Sequence, residues 1–170
     1  MAEQYHSTAE FGRLDRGYAK HCGPTAVTNL LLSLLGRDAP APERLFRDVA
    51  RLGRRRLIYA NWDWKGPLGG TSDLRSREYL RAALDRYGLK EVRVGRVRLL
   101  TPTAVRDALR RGSVLYLQLL RHPKYGSHHL LCYGLEPDGR VRLADGWAAS
   151  PVLLEPKALG RGLFLEVHPL

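Results

Sequence analysis

The feature that most constrains the fold is a change of period along the chain. Val27, Leu30, Leu31, Leu34 and Leu35 share one helical face, and Gly36 stops that helix. Pro24 suits its first turn, where the missing N–H is not needed. The spacing predicts a first helix over about Gly23–Leu35. It predicts a second from Pro42 to Gly53, carrying Leu45, Phe46, Val49 and Leu52. A third starts at a cap, Thr71 or Ser72, and carries Leu74, Tyr79, Leu80, Ala83 and Leu84 to Gly88. After a strand over about Glu91–Leu99, a short helix follows Pro102, with Val105, Ala108 and Leu109 inward. The period then changes. Ser113–Leu120 and His128–Leu135 read as strands, Glu136-Pro137-Asp138-Gly139 as a hairpin turn and Arg140–Ala144 as the returning strand. Val152–Leu154 and Leu163–Val167 add more. The expectation is an α+β fold with N-terminal helices packed on a C-terminal antiparallel sheet. Residues 1–20 give no assignment.

The 170 residues suit one domain spanning 1–170, and 44% apolar content suffices for a core. No apolar run reaches the roughly 18 residues of a membrane span. Met1–Glu10 is polar and reads as no signal peptide. Two cysteines exclude a disulfide scaffold, so a reduced, cytoplasmic protein is expected. The net charge of +11 is carried mostly by arginine. Outside Arg54-Arg55-Arg56 the basic residues are scattered and no nucleic-acid motif accompanies them, so a nucleic-acid partner is not expected.

His21-Cys22-Gly23-Pro24-Thr25-Ala26 places a thiol at a helix start, where the dipole and the free amides favour thiolate. Cys22 is the candidate nucleophile, and its own N–H a candidate oxyanion donor. A cysteine taken alone is more often a small buried hydrophobe. His128 and His129 open an apolar strand, and alternation sends their rings to opposite faces, so at most one faces the Cys22 helix. Asp145 ends the next strand, close enough to fix an imidazole tautomer, although aspartate before glycine is also a common turn residue.

Cys-Gly-Pro-Thr-Ala at a helix start, His with Gly six residues on, and Asp145-Gly146-Trp147 after a hairpin resemble the papain-like cysteine peptidases. Within these, the chain is most similar to the bacterial double-glycine leader peptidases and their free-standing relatives. Gly70-Thr71 before the third helix, and Val105–Val114, resemble that family's middle segments. The resemblance implies a Cys22–His128–Asp145 triad cleaving a peptide or protein substrate without a cofactor or metal. It selects His128, six residues before Gly134, and assigns Trp147 to shielding the His–carboxylate bond. It also implies an oxyanion glutamine six residues before the cysteine, where this chain has Arg16. Gln4, Tyr18 and His21 are the other candidate donors. Losing such a donor typically costs about 100- to 1,000-fold in rate.

Two alternatives stand beside this reading. One is a non-catalytic papain-like module that binds peptides. The other is an acyltransferase or transglutaminase-like enzyme with the same triad. Gly69-Gly70 reads as a loop turn rather than a cleavage site, and Trp62 and Trp64 either line a cleft or pin a loop. His21, Cys22, His128, His129 and Cys132 match no zinc spacing.

Overall fold

The computed structural model describes residues 6–14, 20–60, 70–148 and 150–169. Five α-helices and nine strands occur among them. The helices are α1 (Thr8–Gly12), α2 (Cys22–Leu35), α3 (Pro42–Arg55), α4 (Ser76–Arg86) and α5 (Pro102–Arg110). The strands are β1 (Tyr59–Ala60), β2 (Gly70–Thr71), β3 (Arg93–Val94), β4 (Arg98–Leu99), β5 (Val114–His122), β6 (Gly126–Leu135), β7 (Val141–Ala144), β8 (Val152–Leu154) and β9 (Gly162–His168).

α2 is the central helix. Gly23 through Leu31 are all buried, so the helix is enclosed around its first two turns rather than along one stripe. Ala26, Val27, Leu30 and Leu31 pack with Leu45 and Val49 of α3, Tyr79 and Leu80 of α4, and Tyr116, Leu131, Leu165 and Val167 of the sheet. Truncating a fully buried leucine such as Leu30 costs about 2–5 kcal/mol in a core of this kind. A separate core lies on the other sheet face. There Val105, Ala108 and Leu109 of α5 meet Leu117, Leu130, Cys132 and Phe164. The sheet is thus a middle layer, with α2–α4 on one face and α5 on the other. The expected α+β class, with helices on an antiparallel sheet, is the observed one.

Among the described residues the main sheet has seven strands in the order β3-β9-β5-β6-β7-β8, with β4 also on β9. Every pairing is antiparallel. In the β5–β6 pair Leu117 stands opposite Leu130, Gln118 opposite His129 and Leu119 opposite His128. Leu131 and Tyr133 therefore share a face with His129, and Leu130 and Cys132 share the other with His128.

Three expectations change. The strand over Glu91–Leu99 is two short pieces, because at Gly95 the N–H turns to the Glu166 carbonyl (2.8 Å) and the chain steps along β9. The third helix begins with a 3-10 turn over Asp73–Arg75, and its α-helical part starts only at Ser76. That turn rotates Leu74 outward, so it is 91% exposed instead of inward-facing. The unassigned N-terminal segment contains α1, closed by a capping box between Ser7 and Glu10. No helix among the described residues is long and apolar enough to cross a membrane.

Candidate active site

Cys22 is the first residue of α2, and the way that helix starts places it. The N-cap His21 makes no side-chain cap; its Nδ1 lies 3.2 Å from the Thr25 hydroxyl and its ring meets Phe46 edge-on. Thr28 bonds the Pro24 carbonyl at 2.8 Å. The first turn is thus anchored inside the helix rather than by a capping side chain. Cys22 keeps part of its surface exposed. Its thiol is nevertheless packed closely enough that burial pushes its pKa up. The backbone amides of His129, Gly23 and Cys22 itself work the other way, and the Asp73 carboxylate adds to the rise. This corrects the expectation from the helix start alone: desolvation outweighs the amides, and the resting form is a thiol.

The sulfur lies against the amide that joins His128 to His129. The two rings leave this peptide in opposite directions. His129 turns toward the face occupied by α2. Its ring lies 5.5 Å from that of Tyr116, and its Nε2 is 3.2 Å from Oδ1 of Asp73. It also bonds the Thr71 carbonyl. Burial, with a minor push from His128, lowers its pKa to about 4, so it is neutral at pH 7. Its Nδ1 is buried and meets no hydrogen-bond partner among the described residues. Asp73 is held in turn by Gln118, whose Nε2 donates to the Asp73 carbonyl at 3.0 Å. Thr71 closes over Gly23 of α2, with its Cβ 2.6 Å from where a Gly23 Cβ would stand.

His128 turns toward the opposite face. Its ring stacks on Tyr125 with centroids 5.7 Å apart and meets Trp147 at 5.4 Å. Its Nε2 lies 2.6 Å from the backbone carbonyl oxygen of Asp145. A carbonyl only accepts, so Nε2 carries the proton and the neutral ring keeps its lone pair on Nδ1. Burial lowers the His128 pKa, and Asp145 partly restores it.

The Asp145 side chain does not meet the imidazole. Oδ1 accepts from the N–H groups of Trp147 (2.8 Å) and Ala148 (3.0 Å), and Oδ2 accepts from the Tyr125 hydroxyl (3.1 Å). This corrects the expected carboxylate-to-imidazole bond. Asp145 closes its own turn, and its main chain orients His128. Trp147, 47% exposed, flanks the ring from the solvent side.

Of the sequence candidates, His128, Asp145 and Trp147 gather at the start of β6 and just past β7, and Cys22 meets the His128–His129 peptide from the α2 side. His21 lies beside them, with its ring directed into the α2–α3 packing. Gln4, Arg16, Tyr18, Trp62, Trp64 and Gly69 lie outside the described residues. Asp73, Gln118 and Tyr125 were not singled out from sequence. Asp73 follows a Thr-Ser pair that reads as a helix cap, and only the tertiary fold carries it to β6. Among the described residues no group of three or more His, Cys, Asp or Glu is placed to hold a metal ion.

No protein-family model matches this chain. No curated protein matches it either. Among solved structures, the peptidase domain of Streptococcus ComA, a bifunctional ABC transporter of a quorum-sensing pathway, superposes with a TM-score of 0.57 at 11% identity, covering all of both chains. The chain has the fold of that peptidase domain.

Proposed function

We propose that the protein is a cysteine-nucleophile hydrolase that cleaves peptides or related acyl compounds, with Cys22 as nucleophile and His128 as base. The observation that carries this reading is the meeting of a helix-start thiol with the His128–His129 peptide in a peptidase-domain fold. This reading requires the His128 ring, at the start of β6, to reach around the strand end to Cys22, where its Nδ1 lone pair takes the thiol proton as sulfur attacks the acyl carbon. The α2 amides at Cys22 and Gly23 face the charge that develops on oxygen. The protonated ring then gives its proton to the leaving amine. Water, deprotonated by the same nitrogen, hydrolyses the thioester and restores the thiol. Asp145 acts through its carbonyl, which holds the ring, and Trp147 keeps water from that bond.

The test is incubation with a peptidyl fluoromethyl ketone, read by intact mass. One adduct on Cys22 is expected, absent in Cys22→Ala and at least 100-fold slower in His128→Ala. An adduct that forms no faster than on a small free thiol overturns the reading. The second reading, a peptide-binding module without turnover, is favoured by two observations: the raised Cys22 pKa and the Asp145 carboxylate turned away from His128. It predicts peptide binding unchanged by Cys22→Ala and no adduct.

A further inference from the structure

Beside Cys22 stands a histidine–carboxylate pair that the mechanism above does not use. His129 presents its ring to the α2 face of β6, opposite in direction to His128. The Asp73 carboxylate meets it at 3.2 Å. Asp73 sits in the 3-10 turn before α4, and three contacts fix that turn over the site. Gln118 of β5 bonds the Asp73 carbonyl, His129 bonds the Thr71 carbonyl, and Thr71 rests on Gly23. Removing either member would loosen the segment that walls Cys22.

The charge of the pair matters as much as its position. A His–Asp pair beside a thiol can activate it only if the histidine carries a proton. Among the described residues His129 is enclosed by Tyr116, Thr71 and the strand backbone, and Asp73 is the carboxylate that meets it. The net charge presented to the sulfur from that side is that of Asp73.

We propose that Asp73 and His129 are positioning residues for Cys22: the pair clamps the Asp73 turn across the site, and the Asp73 charge restrains the thiol from ionising in the resting protein. This rests on Cys22 being the reacting group, but not on its being catalytic. Among the described residues, the titratable groups on the Cys22 side are Asp73 from the turn, His129 from β6 and Tyr116 from β5, while His128 leaves β6 on the other face. His21, its chain neighbour, is turned to Thr25 and Phe46. Of these only Asp73 is charged at neutral pH. Like charges oppose each other, so removing this one eases ionisation.

The experiment is the pH dependence of iodoacetamide alkylation at Cys22, with the labelled peptide identified by mass spectrometry. Cys132 is fully buried in the sheet and does not compete in the folded protein. Asp73→Asn keeps an acceptor for His129 and deletes the charge. It should move the alkylation midpoint to lower pH and speed labelling at pH 7 by between about twofold and about thirtyfold, the range for one unit charge roughly 8 Å away between bulk-water and partly buried surroundings. His129→Phe keeps the ring volume and frees Asp73 toward solvent, so it should shift the midpoint the same way. An unmoved midpoint in Asp73→Asn overturns the proposal in favour of a purely structural pair. Slower labelling in both variants overturns it in favour of an activating pair. Thermal unfolding confirms that each variant is folded, and if His129→Phe is not, Asp73→Asn alone decides. Alkylation needs no substrate turnover, so failure of the hydrolase reading leaves this test intact.

Discussion

The imidazole of His128 is bonded to the main chain of Asp145 and not to its carboxylate, with Nε2 2.6 Å from the carbonyl oxygen. The carboxylate is spent on the turn that carries that carbonyl. Asp145→Ala removes the acceptor for Trp147, Ala148 and Tyr125 together. It should cost about 2–3 kcal/mol, since bonds to a buried charge are worth more than neutral ones. Asp145→Asn keeps one oxygen for the two N–H groups and should cost less than half as much. Denaturant unfolding of the two variants checks this, and equal losses would contradict a turn-closing role.

His129 makes the protein acid-sensitive in a defined window. Its folded pKa, about 4, lies below the unfolded 6.5. Between those values the unfolded chain binds the extra proton, so stability falls as pH drops from 6.5 toward 4. The integrated effect is on the order of 3 kcal/mol. Asp73, raised by burial, gives back part of this in the acid range as it protonates. His129→Phe should flatten the stability profile between pH 6.5 and 4, measured by urea midpoints at several pH values.

Gly23 tolerates no side chain. A Cβ there would stand 2.6 and 2.8 Å from Cβ and Cγ2 of Thr71. Gly23→Ala should cost about 1–3 kcal/mol through overpacking, and Thr71→Gly in the same chain should recover most of it. Melting temperatures of the single and double variants test the coupling. Additive losses would place the strain elsewhere.

Far from the site, Glu166 of β9 ties the end of α5 to an interior strand of the sheet. Burial pushes its carboxylate pKa up, but Arg111 and Arg98 outweigh that and leave it lowered. Arg111 Nη2 approaches Oε2 at 2.9 Å, and Arg98 meets Oε1. Both arginines are about half exposed and can turn to solvent when the acid is lost. Glu166→Gln should therefore cost only about 1–2 kcal/mol, well below the loss from stranding a buried charge. It should leave Cys22 alkylation unchanged.

The helix-start cysteine, the end of β6, the limits of β8 and the hairpin at Glu136–Gly139 were legible in the sequence because each is set by local chemistry: apolar period, proline, glycine. Alternation along β6 correctly separates the two histidines. What alternation cannot give is which residue from elsewhere meets each ring. His128 is held by a carbonyl, which has no side-chain signature. His129 is met by Asp73, 56 positions away, in a turn that reads as an ordinary cap. The rise in the Cys22 pKa escaped for the same reason. The helix dipole is visible in sequence, whereas the packing that outweighs it belongs to β5, β6 and the Asp73 turn.

β9 lies between β3 and β5, inside the sheet rather than at its rim. During synthesis from the N-terminus, Cys22 and both histidines are joined to the chain before residues 162–168. Until those residues arrive, one flank of β5 has its ladder groups open and the floor beneath Tyr116 and Gln118 is unfinished. A nascent chain thus carries α2, β5 and β6 without the strand that completes their sheet, and an open flank of that kind invites pairing with another chain. Completion of the sheet around Cys22 and the two histidines waits for β9, a strand made after all three.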